Sequence, residues 1–312
     1  MDFIEDYAQD ILSDIPTHED WAESIATGVL SAVVGPERGI LDVIGKLQLN
    51  VWFLMVGPSG LAFKTAPLKY YALPTLAKVT EKIDYPIILP SRYSIEGMIE
   101  YMAKGFSTGI IIRDEFTSLF KETRKDYLTD AIEFMSELYD GTIQKRYTRK
   151  AKLEEAVDVY VCLLAATTPH LFRVMRHDWF IQGTGNRILY IFYDRPDVSR
   201  LLTDVTPEEF FTPTRFSERE ARVERYAEVL ARVYSCDVRF LIPGGEAGRM
   251  FIEFRREMLE EAARRFERDM YDVEYTYLVR LPELALKLSG LKALSRRVDM
   301  LAPGLSEVMI DE

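Results

Sequence analysis

"FLMVGPSGLAFKTAPLKYY", residues 53–71, decides how this chain is read. An apolar run ending at Val56 leads into Gly57-Pro58-Ser59-Gly60, and Lys64-Thr65 come just before an amphipathic stretch. Strand, glycine turn and helix in that order make a phosphate cradle. Glycines let backbone N–H groups converge, and the helix N-terminus adds a positive dipole. The phosphate-loop pattern G-x-x-x-x-G-K-[ST] fits imperfectly: Lys64 stands one position too far from Gly57, and Phe63 replaces the glycine before it. In the phosphate-binding reading, Gly57, Pro58, Ser59, Gly60 and Phe63 form the loop. Lys64 then reaches the β- and γ-phosphates of ATP, and Thr65 holds Mg2+. The competing reading is an ordinary strand-to-helix turn carrying an exposed lysine.

Outward from the loop, apolar strands alternate with amphipathic helices: "VWFLMVG", "YPIILP", "GIIIRDE", "VYVCLLAAT" and "NRILYIFYD". Continuous apolar strands separated by helices predict a parallel sheet covered on both faces. The expected fold class is α/β, a three-layer P-loop NTPase core followed by a C-terminal helical lid. The expected organisation is an N-terminal helical segment over 1–48, the core over 49–200 and a linker over 201–217. A helical lid over 218–302 and a tail over 303–312 complete it.

Four further features follow the loop. "GIIIRDEFTSLF" delivers Asp114 and Glu115 at the end of a strand, where ligands meet open α/β sheets. Asp114 suits the Mg2+ shell and Glu115 suits deprotonation of an attacking water; an acidic pair there also serves as a helix cap. "VYVCLLAATTPHLF" ends in Thr167-Thr168-Pro169, which places Thr168 either against the γ-phosphate or as a helix cap. "GTGNR", 183–187, brings Arg187 to the start of a strand, either as an arginine finger for a neighbouring subunit or in a surface ion pair. "DGTIQKRYTRKAKLEE", 140–155, gathers Lys145, Arg146, Arg149 and Lys150 around Tyr147. Asp140-Gly141 and the alternation after it predict a β-hairpin. Such a finger suits a phosphate backbone, with Tyr147 stacking on a base; a solvated basic face is the plainer alternative.

Composition sets the outer limits. The 312 residues are 48% hydrophobic and 29% charged, ample for a core, and the net charge of −11 argues against a uniformly basic nucleic-acid surface. Two cysteines and three scattered histidines make no zinc pattern. The start "MDFIEDYAQDILSD" has no apolar signal core, so the expectation is a soluble, cytoplasmic protein without a membrane partner.

Taken in order, these motifs resemble those of AAA+ helicase-like ATPases. They are most similar to a family of uncharacterised P-loop domains of plasmids, viruses and phage-like elements, often found beside a primase-polymerase. The resemblance rests on "SIEGMIEYM" at 94–102, "DEF" at 114–116, "ELYDGTIQKRYTRK" at 137–150, "GTGNR" at 183–187 and "VRLPELALKLSGLKAL" at 279–294. A more distant similarity, in "IIIRDEF" and "NRILYIFYDRPD", is to the minichromosome-maintenance helicases. The resemblance implies an ATPase at subunit interfaces of a homo-oligomer, a hexameric ring, acting on single-stranded or forked DNA. It makes Arg187 the finger in trans, Arg280 the second sensor, Thr168 the first sensor and the basic segment a pore-facing hairpin. A nucleotide-dependent switch or loader that does not unwind DNA shares every one of these residues. The extra loop residue and Arg113, which interrupts the apolar run before the acids, depart from the family pattern.

Overall fold

The computed structural model describes residues 1–41, 45–117, 125–144, 146–147, 152–153, 157–175, 178–193, 213–241, 245–270, 273–301 and 305–310. Four apolar segments pair as one parallel sheet. In spatial order these are the edge strand Leu189–Phe192, the loop strand Trp52–Val56, the central strand Tyr160–Thr167 and the acid strand Thr108–Arg113. The fifth segment, "YPIILP", contributes a single parallel bridge, Ile88 to Ile110, beyond the acid strand.

Side chains alternate across the strands, so each strand feeds two cores. Phe53, Met55, Ile110, Ile112, Cys162 and Leu164 pack on one face of the sheet. Trp52, Leu54, Ile111, Val161 and Leu163 pack on the other. This is why the strands read as unbroken apolar runs: neither face meets water. Helix Glu19–Val34 lies on the first face with 13 of its 16 residues buried, Trp21 and Val29 among them. Helix Ile95–Ala103 buries Met98, Ile99 and Met102 on the second. The chain is α/β, with one core on each face of the parallel sheet.

Two expectations are corrected here. The first 48 residues are not all helical: after helices Phe3–Asp14 and Glu19–Val34, strands Gly39–Leu41 and Lys46–Gln48 form an antiparallel pair. The C-terminal stretch is not a loose tail, because Leu305–Met309 pairs in parallel with Asp237–Leu241. Asp237–Leu241 in turn pairs with Gly39–Leu41, so chain ends far apart in sequence close one second sheet. The pairing of Ile40 with Phe240 spans 200 positions and leaves no local periodic signature. The expected C-terminal helices form as Pro213–Ser235, Glu246–Arg268 and Glu274–Ser295. The first begins inside the expected linker, most of which lies outside the described residues. Among the described residues no helix is long and apolar enough to cross a membrane.

Candidate functional site

The loop leaves the carboxyl end of its strand beside the central strand. The Gly57 amide donates to the Thr167 carbonyl at 3.2 Å. Gly57 has no room for a side chain, because a Cβ there would sit 2.6 Å from the Trp21 ring. Pro58 is half-buried, and Ser59 and Gly60 are exposed in a turn where Gly60 takes φ +83°. The chain takes up its additional residue in the turn over 59–62 and in Phe63, whose φ is +47°. That left-handed backbone is the one a glycine adopts freely, and an aromatic residue adopts it at a cost of about 1–2 kcal/mol. The altered sequence therefore keeps a glycine-like turn at the position before the lysine. The Phe63 side chain is exposed rather than packed on the core.

Lys64 is buried and turns back into the loop, donating to the Gly57 carbonyl at 3.3 Å. Burial pushes its ammonium below the ordinary lysine range, and the Glu115 carboxylate opposes that shift. Loop lysine and acidic pair thus share one electrostatic neighbourhood. Thr65 is exposed at the first turn of the helix, its carbonyl accepting from Lys69 N at 3.0 Å. The helix then opens into a π turn over Leu68–Ala72, closed by Leu73 N on the Leu68 carbonyl. Pro74 explains it: in a regular helix its ring would collide with the Tyr70 carbonyl.

Asp114 and Glu115 are exposed just past the acid strand. Glu115 Oε1 accepts from Thr117 N at 3.0 Å and from Thr167 Oγ1 at 3.3 Å, and the two threonine hydroxyls lie 2.5 Å apart. The residue touching the acidic pair is therefore Thr167, not Thr168. Thr167 is the last residue in register with the loop strand, opposite Val56, whereas Thr168 lies beyond the strand and its carbonyl accepts from Leu171 N. Sequence reasoning does not single out Thr117; its position two residues past Glu115 is the only local signal for it. An exposed hydroxyl and an exposed carboxylate, Thr65 and Asp114, are hard oxygen donors of the kind Mg2+ takes together with phosphate oxygens.

Arg187 and Arg280 belong to the opposite end of the sheet. Arg187 precedes the edge strand, which runs parallel to the loop strand from Leu189 opposite Phe53. Its guanidinium is buried and grips Asp140 with two prongs, Nε to Oδ1 at 2.9 Å and Nη2 to Oδ2 at 2.7 Å. It also donates to the Gly183 carbonyl at 2.5 Å. Arg187 thus forms an inward-facing pair with Asp140 at the root of the basic segment.

Arg280 donates to Glu283 at 2.7 Å. Glu283 accepts from Tyr139 OH at 3.2 Å and faces Lys287 Nζ at 3.3 Å. Lys287 is fully buried, lies 4.0 Å from the Tyr139 ring centre and donates to Asn50 Oδ1 at 2.9 Å. Burial pulls its pKa down to about 8, against the pull of Glu283. Asn50, Tyr139, Asp140, Glu283 and Lys287 line a cleft of about 370 Å³ at this end of the sheet. The sequence signal for Glu283 and Lys287 is their i, i+4 spacing inside "RLPELALKL".

The basic segment is a hairpin where it is described. Thr142 pairs with Asp158 and Ile143 with Val157; further out, Arg146 pairs with Leu153 and Tyr147 with Lys152. Lys145, Arg149 and Lys150 lie outside the described residues.

No protein-family model matches this chain, and no curated protein is similar to it in sequence.

Proposed function

We propose that this chain is a Mg-ATP-dependent ATPase of the AAA+ type that works as a homo-oligomeric motor on DNA. One observation carries the reading. Lys64, Glu115 and Thr167 converge at the carboxyl ends of three adjacent parallel strands, with the Thr167 strand between the other two. A phosphate loop and an acidic pair held on either side of one strand that ends in a polar residue bring phosphate-binding and water-orienting groups to the same end of the sheet, as ATP hydrolysis needs.

In this reading Lys64 leaves the Gly57 carbonyl and binds the terminal phosphates, while loop N–H groups bind the phosphate oxygens. Thr65 and Asp114 would hold Mg2+, which when bound would supply charge neutralisation for the transferring phosphoryl group. Glu115 orients the attacking water and takes its proton, and Thr167 fixes the carboxylate that does so. Arg187 and Arg280 sit roughly 16 Å of strand away from the loop, so they serve a nucleotide on a neighbouring copy. To do so, Arg187 exchanges Asp140 for phosphate. The hairpin, rooted at Asp140-Gly141, is the DNA-facing element.

The test is ATP hydrolysis stimulated by single-stranded DNA and lost in Lys64→Ala. A wild-type chain with neither nucleotide binding nor DNA binding defeats the reading. Unwinding of a forked duplex separates a motor from a loader.

A further inference from the structure

We infer that the exposed side of helix Glu246–Arg268 docks an amphipathic helix of another protein, one with an apolar seam and a row of Lys or Arg along its flank. The inference goes beyond the ATPase reading and does not depend on it, because no residue of this helix belongs to the candidate site.

The first ground is an apolar row that the chain itself leaves uncovered. The helix packs on helix Glu274–Ser295, with Ala262 buried and Phe251 set against the core. Beside that inner face Ile252, Leu259 and Phe266 recur seven residues apart, and they are 52%, 37% and 47% exposed. Read as heptads, these three fill one seam position, and the exposed Arg249, Arg256 and Ala263 fill the other. Singly exposed apolar residues need no explanation. Three large ones in register over about 21 Å of helix repeat at the spacing a second helix reads.

The second ground is charge, which decides what covers the row. Glu253, Glu260 and Glu267 each follow an apolar seam residue by one position and line the seam's open flank, whereas Ala262 on the other flank is buried. Among the described residues none of these three carboxylates is in an ion pair, while Glu261 holds Arg264 at 2.9 Å and Arg265 at 3.0 Å. A second copy of the helix fits badly. Parallel pairing sets Arg249 and Arg256 each against its own copy. Antiparallel pairing about Leu259 and Ala263 sets Glu260 against its own copy and Glu253 against the copy of Glu267. Like charges juxtaposed in this way select against a partner. The same glutamates repel an anionic lipid surface. A helix with Lys or Arg at seven-residue intervals instead meets the glutamate row while its apolar seam covers Ile252, Leu259 and Phe266. An acidic residue near one end of it faces Arg249 and Arg256, which fixes its direction.

The test titrates the full chain against a fluorescent synthetic peptide of about three heptads, with Leu at both seam positions and Lys along one flank. A control peptide carries Glu in place of each Lys. The Lys peptide should bind at least roughly tenfold more tightly at low salt, and the difference should shrink as salt is added. Replacing Glu253, Glu260 and Glu267 together with Lys should reverse the preference. Ile252→Gln with Leu259→Gln should weaken the Lys peptide roughly tenfold or more, with the melting temperature unchanged because both side chains are exposed. A wild type that binds neither peptide, or both equally, overturns the inference, as does a double variant that binds like the wild type. A wild type that dimerises in sedimentation and loses the dimer in the double variant puts a second copy on the seam and also overturns it. Binding to phosphatidylserine vesicles that the double variant loses overturns it as well, since the row then faces lipid.

Discussion

The Thr167 hydroxyl donates to Glu115 Oε1 at 3.3 Å, while the Thr167 carbonyl accepts from the Gly57 amide at 3.2 Å. One residue thus holds loop and acidic pair in a common frame. If Glu115 orients water, its carboxylate needs that hydroxyl to stay aimed. Thr167→Val keeps the side-chain shape and removes the hydrogen bond, so kcat should fall roughly 10- to 100-fold with little change in KM. Thr168→Val should leave both almost unchanged. Equal losses at the two positions would show that Thr167 has no special hold on Glu115.

The Arg187–Asp140 pair predicts an asymmetry in stability. The Arg187 side chain is 8% exposed and Asp140 is 48% exposed, so the two partners differ in what they lose when left alone. Asp140→Ala strands a buried guanidinium, at a cost of about 1–3 kcal/mol. Arg187→Met leaves an aspartate that water can reach, and the methionine fills part of the space. Urea midpoints should therefore drop further for Asp140→Ala than for Arg187→Met. The reverse order would mean that Arg187 acts mainly through packing on Tyr139, whose ring centre lies 5.8 Å from its Cζ.

Lys287 makes stability depend on alkaline pH. Its folded pKa is lowered to about 8 from an unfolded value of 10.5. Between those values the unfolded chain binds more protons than the folded one, so stability rises with pH across that window. Below pH 8 both states are protonated and the penalty of the buried charge is constant. Compared with Lys287→Met, the wild type should gain on the order of 3 kcal/mol from pH 8 to pH 10.5. The comparison is needed because the raised pKa of Tyr139 and of other buried tyrosines destabilises the fold above pH 10 in both proteins. A difference that is flat with pH would mean Lys287 is not buried as a titrating group.

Which of these residues can be read from the sequence follows from how local their causes are. The four sheet strands are legible because burial on both faces makes a strand apolar throughout, and "VWFLMVG" and "VYVCLLAAT" carry that mark without reference to any partner. The left-handed Phe63 is not legible, since nothing in "GLAFK" announces that the backbone keeps a glycine conformation when the glycine is gone. The choice between Thr167 and Thr168 turns on where the strand ladder ends, and single-residue register is set by pairing across the sheet. Leu305–Met309 escapes a sequence reading for a related reason: its partner strand begins at Asp237, too far along the chain for local periodicity to connect them.

The hairpin prediction separates a DNA-gripping finger from a merely solvated basic face. Its stem pairs as Thr142 with Asp158 and Arg146 with Leu153. If Lys145, Arg149 and Lys150 neutralise phosphates, each released counterion adds to the salt dependence of single-strand binding. Replacing all three with alanine should weaken binding, and the slope of log K against log salt should shrink by about 0.7 for every phosphate left unneutralised. Tyr147→Ala should behave differently, losing about 1–3 kcal/mol of affinity with the slope unchanged, because stacking carries no counterion term. Equilibrium titrations with a fluorescent oligonucleotide across a series of salt concentrations measure both quantities. A triple alanine variant with the wild-type slope places the phosphate-binding cations elsewhere, and ATPase stimulation by DNA should then survive in it.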